Sequence, residues 1–274
     1  MKLKVGWIQY ANVYPIFYVL QKEGLLTEDI HLVKGVPSQL NWALRNDLID
    51  VSPSSSVEYL LNKEKYEYID GISISSKEYV GSVLFFSEYE LERINGSKIL
   101  LSDHSATSHF LLRIIFEKFL DLKPTYDISS APYKGDSFLL IGDDALRYRK
   151  LNKDKKVYDL ANLWYQHTGL PFVFALWIVR KEITKPEGEI YPKYLKFKEK
   201  LIYAKQKCKD YFSEMVKNYY LKDFLTEEEI LYYWKENMDY ELTEKHKESL
   251  HLFDKYLREI LNQTSYAFNA YFSC

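Results

Sequence analysis

Residues 36–59 read VPSQLNWALRNDLIDVSPSSSVEY, a helix, a strand and the opening of a second helix within one short span. Ser38 has the chemistry of an N-cap, and Leu40, Ala43, Leu44 and Leu48 recur on one helical face. Ile49 to Ser52 predicts a short strand, and Pro53 to Leu61 a helix whose first residues are serines. Upstream, KLKVGWIQY at residues 2–10 alternates apolar residues at 3, 5 and 7, then runs into polar Gln9 and Asn12. That pattern predicts an opening strand with polar groups at its carboxyl end. Pro15 precedes an apolar run, Ile16 to Leu20, that reads as a helix closing at Gly24. Strands and helices thus alternate up to about residue 75, the signature of an α/β fold with parallel strands.

Downstream, VGSVLFFS (80–87), KILLS (98–102), SFLLIG (137–142) and FVFALWIV (172–179) predict buried strands. SATSHFLLRIIFEKFL (105–120) predicts a helix that begins in small hydroxyl residues, and Asp143 or Asp144 an N-cap for the next helix. Beyond Arg180 strands give way to Tyr- and Lys-rich helical periodicity over Leu195 to Tyr220 and Thr226 to Asn237. Thr226 and Glu229 form a capping box there. This tail predicts amphipathic helices that pack back on the first part of the chain.

Composition narrows the function classes. The 274 residues are 47% hydrophobic, ample for a core, and 37 basic against 39 acidic side chains leave a net charge of −2. A nearly neutral chain without a basic block does not fit a nucleic-acid binder, whose affinity comes from phosphate neutralisation. Cys208 and Cys274 supply neither a disulfide framework nor a CxxC metal knuckle, and the histidines show no HExxH spacing. Lys2 and Lys4 are not followed by an uninterrupted apolar segment, and Phe172 to Val179 is far shorter than the ~20 residues of a membrane span. The expectation is a cytoplasmic protein without membrane, metal or redox cofactor.

Six blocks, in order, resemble the chorismate dehydratase family of the futalosine route to menaquinone: WIQYANVYP, VPSQLNWALRNDLIDVSPSSSVEY, GSVLFFS, DHSATSHFLLRIIFEKFL, LLIGDDAL and TGLPFVFALWIVR. The resemblance implies a two-lobed, type II periplasmic-binding-protein-like fold used without export. It places residues 1–86 and 178–274 in lobe 1, with the helical tail, and residues 87–177 in lobe 2. It implies a lyase whose partner is a small-molecule substrate, chorismate, bound in the cleft between the lobes. It leaves the oligomeric state open. Two other readings are a solute-binding protein, which an export signal or lipid-anchor cysteine would favour, and the dihydroxynaphthoate synthase of the same pathway, which shares the fold but not this block order.

The residues that carry such chemistry can be weighed singly. Asn12 follows the first strand, where an amide can donate to and accept from a ligand; an Asx turn before Pro15 is the plainer reading. Ser55 and Ser56 lie at one helix start and Ser105, Thr107 and Ser108 at another. Hydroxyls beside free N–H groups there suit carboxylates, although N-capping alone explains such serines. Ser82 sits beside Gly81 in the strand expected to cross between lobes, and Gly169, Leu170 and Pro171 form a turn into the return strand. With the resemblance, Asn12 and Ser82 become candidate catalytic residues. Ser55, Ser56, Ser105, Thr107, Ser108, Gly169 and Pro171 become candidate substrate-binding residues. His104 and His109 flank the hydroxyl cluster without a motif that requires them, and Glu58 suits the first turn of its helix.

Overall fold

The computed structural model describes residues 1–102 and 106–263. The chain begins with β1 (Leu3–Trp7), α1 (Tyr14–Lys22), β2 (Ile30–Lys34), α2 (Pro37–Arg45), β3 (Val51–Ser55), α3 (Ser56–Leu61) and β4 (Tyr66–Ser76). It continues with β5 (Val83–Ser87), β6 (Lys98–Ser102), α4 (Ala106–Ile114), β7 (Thr125–Ser129), β8 (Ser137–Ile141), α5 (Gly142–Leu151), β9 (Lys156–Asp159) and α6 (Leu160–Thr168). It ends with β10 (Phe172–Arg180), α7 (Tyr191–Lys207), α8 (Phe212–Met215), α9 (Glu227–Tyr232) and α10 (Glu244–Gln263).

Two five-stranded sheets result, ordered β2-β1-β3-β10-β4 and β7-β6-β8-β5-β9. In the first, β1 runs parallel to β2 and β3, while β10 is antiparallel to β3 and β4. In the second, β6 is parallel to β7 and β8, and β5 antiparallel to β8 and β9. The parallel pattern read from the sequence is therefore interrupted once in each sheet. β5 pairs in the second sheet and β10 in the first, so the chain crosses between sheets at 77–82 and 169–171. The boundaries 86/87 and 177/178 would instead cut through these two strands.

Local chemistry sets several element ends differently from the sequence reading. Helix α2 starts at Pro37, whose fixed φ and absent N–H suit a first turn, and the Gln39 side chain accepts from Val36 N at 3.2 Å, so Ser38 is not the cap. Pro53 lies inside β3, where the pairing with β1 stops at Val51 and no amide donor is needed on that side; Ser55 caps α3 by accepting from Glu58 N at 3.3 Å. Asp143 does not cap α5, whose N-cap is Ile141. The capping box of α9 is present, with Thr226 Oγ1 accepting from Glu229 N at 3.2 Å and Glu229 from Thr226 N at 2.8 Å.

The helical tail packs on the first sheet and on α6, the helix that covers β5 and β9 of the second. Trp177 of β10 lies 5.6 Å from the Phe17 ring of α1 and 6.3 Å from Phe197 of α7, all three buried. Each such burial contributes roughly 1.5–3 kcal/mol. Phe253 of α10 stacks edge-on against Phe172 of β10 at 5.1 Å, and Ser249 accepts from Trp164 Nε1 of α6 at 3.0 Å. The tail thus holds the two sheets together, beyond the packing on the first unit that the sequence suggests. No helix among the described residues is long and apolar enough to cross a membrane.

Candidate active site

Between the sheets lies a cavity of about 70 Å³. One wall comes from the first sheet: Ile8, Tyr10 and Asn12 beyond β1, Pro53 and Ser55 of β3, Ile74 of β4, and Phe174 and Ala175 of β10. The other comes from the crossover and second sheet: Val80, Ser82, Val83, Ser108, Ile141 and Gly142, with Met238 of the tail closing the space. Besides the Tyr10 phenol, four lining side chains carry polar atoms, all singled out by the sequence: Asn12, Ser55, Ser82 and Ser108. A few polar groups set in an apolar wall is the ordinary construction of a small-molecule site.

Asn12 sits on a turn whose backbone is held from three sides. Trp234 Nε1 donates to the Ala11 carbonyl at 2.9 Å, and the Tyr240 hydroxyl to the Asn12 carbonyl at 2.9 Å. Ala11 N donates to Asp143 Oδ1 at 3.1 Å. The side chain of Asn12 is left for other work: its Oδ1 is buried and has no hydrogen-bond partner among the described residues. A buried acceptor without a partner costs about 1–3 kcal/mol, so this one stands ready for a donor from a ligand.

Ser82 is fixed by the crossover. Asp159, the N-cap of α6, accepts from Val80 N at 3.1 Å and Gly81 N at 2.7 Å as well as from Ala161 N at 3.0 Å. Gly81 takes a φ of +68°, which a side chain would resist. Gly142 N donates to the Ser82 carbonyl at 2.7 Å, joining the crossover to α5. The Ser82 hydroxyl lies 2.9 Å from the Tyr233 hydroxyl. Burial pushes the Tyr233 phenol well above its ordinary range, so it remains a neutral donor and acceptor.

The other hydroxyls divide. Ser55 lines the cavity while capping α3, and Ser108 lines it from α4. Ser56 and Thr107 do not line it. The buried Ser56 hydroxyl donates to the Val173 carbonyl at 2.6 Å, and Thr107 Oγ1 accepts from Val57 N at 3.0 Å. The two hydroxyl-rich helix starts therefore meet, one serving the first turn of the other. Gly169 ends α6 in the left-handed region, φ +69°, and neither it nor Pro171 reaches the cavity. Ser105 and His104 lie outside the described residues. His109 Nε2 is engaged with the Ser102 carbonyl, and buried Glu58 lies 3.5 Å from Arg45 within α3's surroundings. Burial raises the pKa of Glu58, against the opposing charge of Arg45.

Sequence reasoning missed the groups that hold the site: Tyr233, Trp234, Tyr240, Asp143 and Asp159. The aromatic three lie more than 220 residues from Asn12 in the chain, in a segment that reads only as an amphipathic tail. The sole signal was their density of aromatics, which elsewhere marks plain core.

Comparison with known proteins agrees with this architecture. The alkanesulfonate-binding protein of Xanthomonas axonopodis pv. citri, solved with bound MOPS, superposes with a TM-score of 0.64 at 14% identity, covering 93% of this chain and 94% of that one. That likeness shows the periplasmic-binding-protein fold. The chain is 30% identical over 203 residues to a protein of Thermus thermophilus named chorismate dehydratase, 67% of this chain and 72% of that one. It is 29% identical over 255 residues to one of the same name from Campylobacter jejuni, 91% of this chain and 95% of that one. The family model described as menaquinone biosynthesis matches residues 3–259, and the chain belongs to that family.

Proposed function

We propose that the chain is a lyase that dehydrates chorismate to 3-[(1-carboxyvinyl)oxy]benzoate in the futalosine route to menaquinone, acting in the cytoplasm. One observation supports the reading above others: the interlobe cavity sets the unpaired Asn12 amide and the Ser82 hydroxyl in an otherwise apolar wall. The reaction breaks the C–H bond on the ether-bearing ring carbon and the C–O bond of the neighbouring hydroxyl. The C–H electron pair becomes part of the aromatic ring, and the proton and hydroxide leave as water. Aromatisation supplies driving force, so the protein's work is to hold the diene, exclude bulk water and stabilise the departing hydroxide.

None of the polar side chains lining the cavity is a base near neutral pH, because amides, hydroxyls and phenols are not appreciably deprotonated there. The substrate brings one: the enolpyruvyl carboxylate hangs from the carbon that loses its proton. Folded over the ring, it acts intramolecularly, where orientation gives effective molarities of ~10⁵ M or more. Asn12 then holds the arm or donates to the leaving hydroxyl, and Ser82, backed by Tyr233, supports the pose. Ser55 and Ser108 are the hydroxyls placed to receive a substrate carboxylate. The cavity of about 70 Å³ has room for few waters and lies below the ~300 Å³ at which ligand pockets begin, so substrate enters with its two walls apart. Incubating the purified protein with chorismate, and following aromatic absorbance with mass detection, tests the proposal. A product lighter by one water supports it, and unchanged chorismate sinks it.

A further inference from the structure

One carboxylate beside the cavity that ties the second sheet's helix to the Asn12 turn belongs to neither a serine cluster nor the wall itself. Asp143, in the first turn of α5, reaches across to the other sheet's turn. Its Oδ1 accepts from Ala11 N at 3.1 Å, one residue before Asn12, and its Oδ2 accepts from the Tyr220 hydroxyl. Tyr220 in turn lies within 3.3 Å of the Gln9 carbonyl on the same turn. The carboxylate therefore grips the turn directly at Ala11, while the one Tyr220 proton that it accepts is shared between it and the Gln9 carbonyl.

We propose that Asp143 is a positioning residue: its ionised carboxylate holds the Ala11 N–H, one residue before Asn12, and so aims the Asn12 amide, and its protonation weakens that hold and loosens the aim. The proposal rests on the reading that Asn12 acts on the substrate. In the ionised state both oxygens accept. When Oδ2 carries a proton it donates to Tyr220, whose own proton turns to the Gln9 carbonyl, and Ala11 N is left with a neutral acceptor about half as strong.

The surroundings favour titration in the working range. Asp144 and Arg147 face the carboxylate from its own helix, Tyr219 and Tyr220 from the segment before α9, and Tyr233 from the turn after it; Tyr10 packs on Gly142. Only Arg147 among them is cationic. Burial is the largest cause of the shift and pushes the Asp143 carboxyl up to about 7, with Asp144 adding to it and the Ala11 hydrogen bond opposing. The sign for stability is opposite to that for activity. The folded chain keeps a proton that the unfolded chain releases at lower pH, so this group's contribution to stability falls as pH rises toward 7 while the turn tightens.

The test compares wild type, Asp143→Asn and Asp143→Ala. Hydrogen exchange of the peptide spanning residues 8–13, corrected for intrinsic rate, reads the grip without any substrate; kcat and KM for chorismate from pH 5.5 to 8.5 read its consequence. In wild type, protection at Ala11 and kcat should both rise about five-fold with a midpoint near 7 while KM holds, that factor being the difference between a charged and a neutral acceptor. Asp143→Asn, which keeps an acceptor but cannot titrate, should flatten both profiles, and Asp143→Ala should lose protection at every pH. Coincident pH profiles for wild type and Asp143→Asn, or unchanged Ala11 exchange in Asp143→Ala, overturn the proposal. Wild type that shows the exchange response but no chorismate turnover upholds the grip and counts against the functional reading alone.

Discussion

Asn12→Ala separates the two roles a buried amide can have. In the free protein the Asn12 side chain makes no hydrogen bond through Oδ1, while the backbone tethers from Trp234, Tyr240 and Asp143 do not involve the side chain at all. Removing the amide leaves those tethers intact and relieves a desolvated acceptor, a cost of about 1–3 kcal/mol. At about 2–4 °C per kcal/mol for a chain of this size, Tm should hold or rise by a few degrees. Activity should move the other way. Losing the hydrogen bond that the Nδ2–H of the same amide would donate to the charge developing on the leaving oxygen costs ~1.5–3 kcal/mol, or roughly 10- to 150-fold in kcat. Thermal melts and steady-state dehydration of chorismate on the same preparation read both numbers. A variant that melts several degrees lower yet turns over normally would refute the assignment, because it would make Asn12 a structural turn residue.

Other substitutions probe the supports. Thr107→Val keeps the shape but strands the buried Val57 N–H, so a Tm loss of about 2–4 °C for each of ~1–3 kcal/mol is expected with kcat nearly unchanged. Gly81→Ala places a Cβ 3.1 Å from Asn237 Oδ1 at a φ of +68°, so it should lower both stability and kcat, read by denaturant melts and by turnover. Ser82→Ala leaves the buried Tyr233 hydroxyl without its partner at 2.9 Å; Tyr233→Phe in the same background should recover stability but not activity, a comparison made by a double-mutant cycle.

Legibility in the sequence followed how local each signal was. FVFALWIV, KILLS and SFLLIG announce buried strands because every residue needed is contiguous and apolar, and β6, β8 and β10 fall on them. β2, β7 and β9 did not stand out: they lie at or near sheet edges, are short, and carry Lys, His and Asp among few apolar residues. β3 was cut short because VSPSS has one apolar side chain before Pro53, yet all five residues are buried under α2 and β10. At the site, Asn12, Ser55, Ser82 and Ser108 were legible as small polar groups at element ends. Ser56 and Thr107 share that chemistry but point their oxygens at Val173 and Val57, directions that only the packing of α3 against β10 and α4 determines. Asp143 has the sequence of an N-cap and the role of a bridge, for the same reason.

The most direct test pairs chorismate with an analogue whose enolpyruvyl carboxylate is replaced by a neutral amide, both offered to the purified wild-type protein in the absorbance and mass assay. The account predicts that chorismate loses one water to give the aromatic ether, while the analogue competes for the site and is not dehydrated. Chorismate left intact, chorismate cleaved to pyruvate and a hydroxybenzoate, or an analogue dehydrated as fast as chorismate would contradict it.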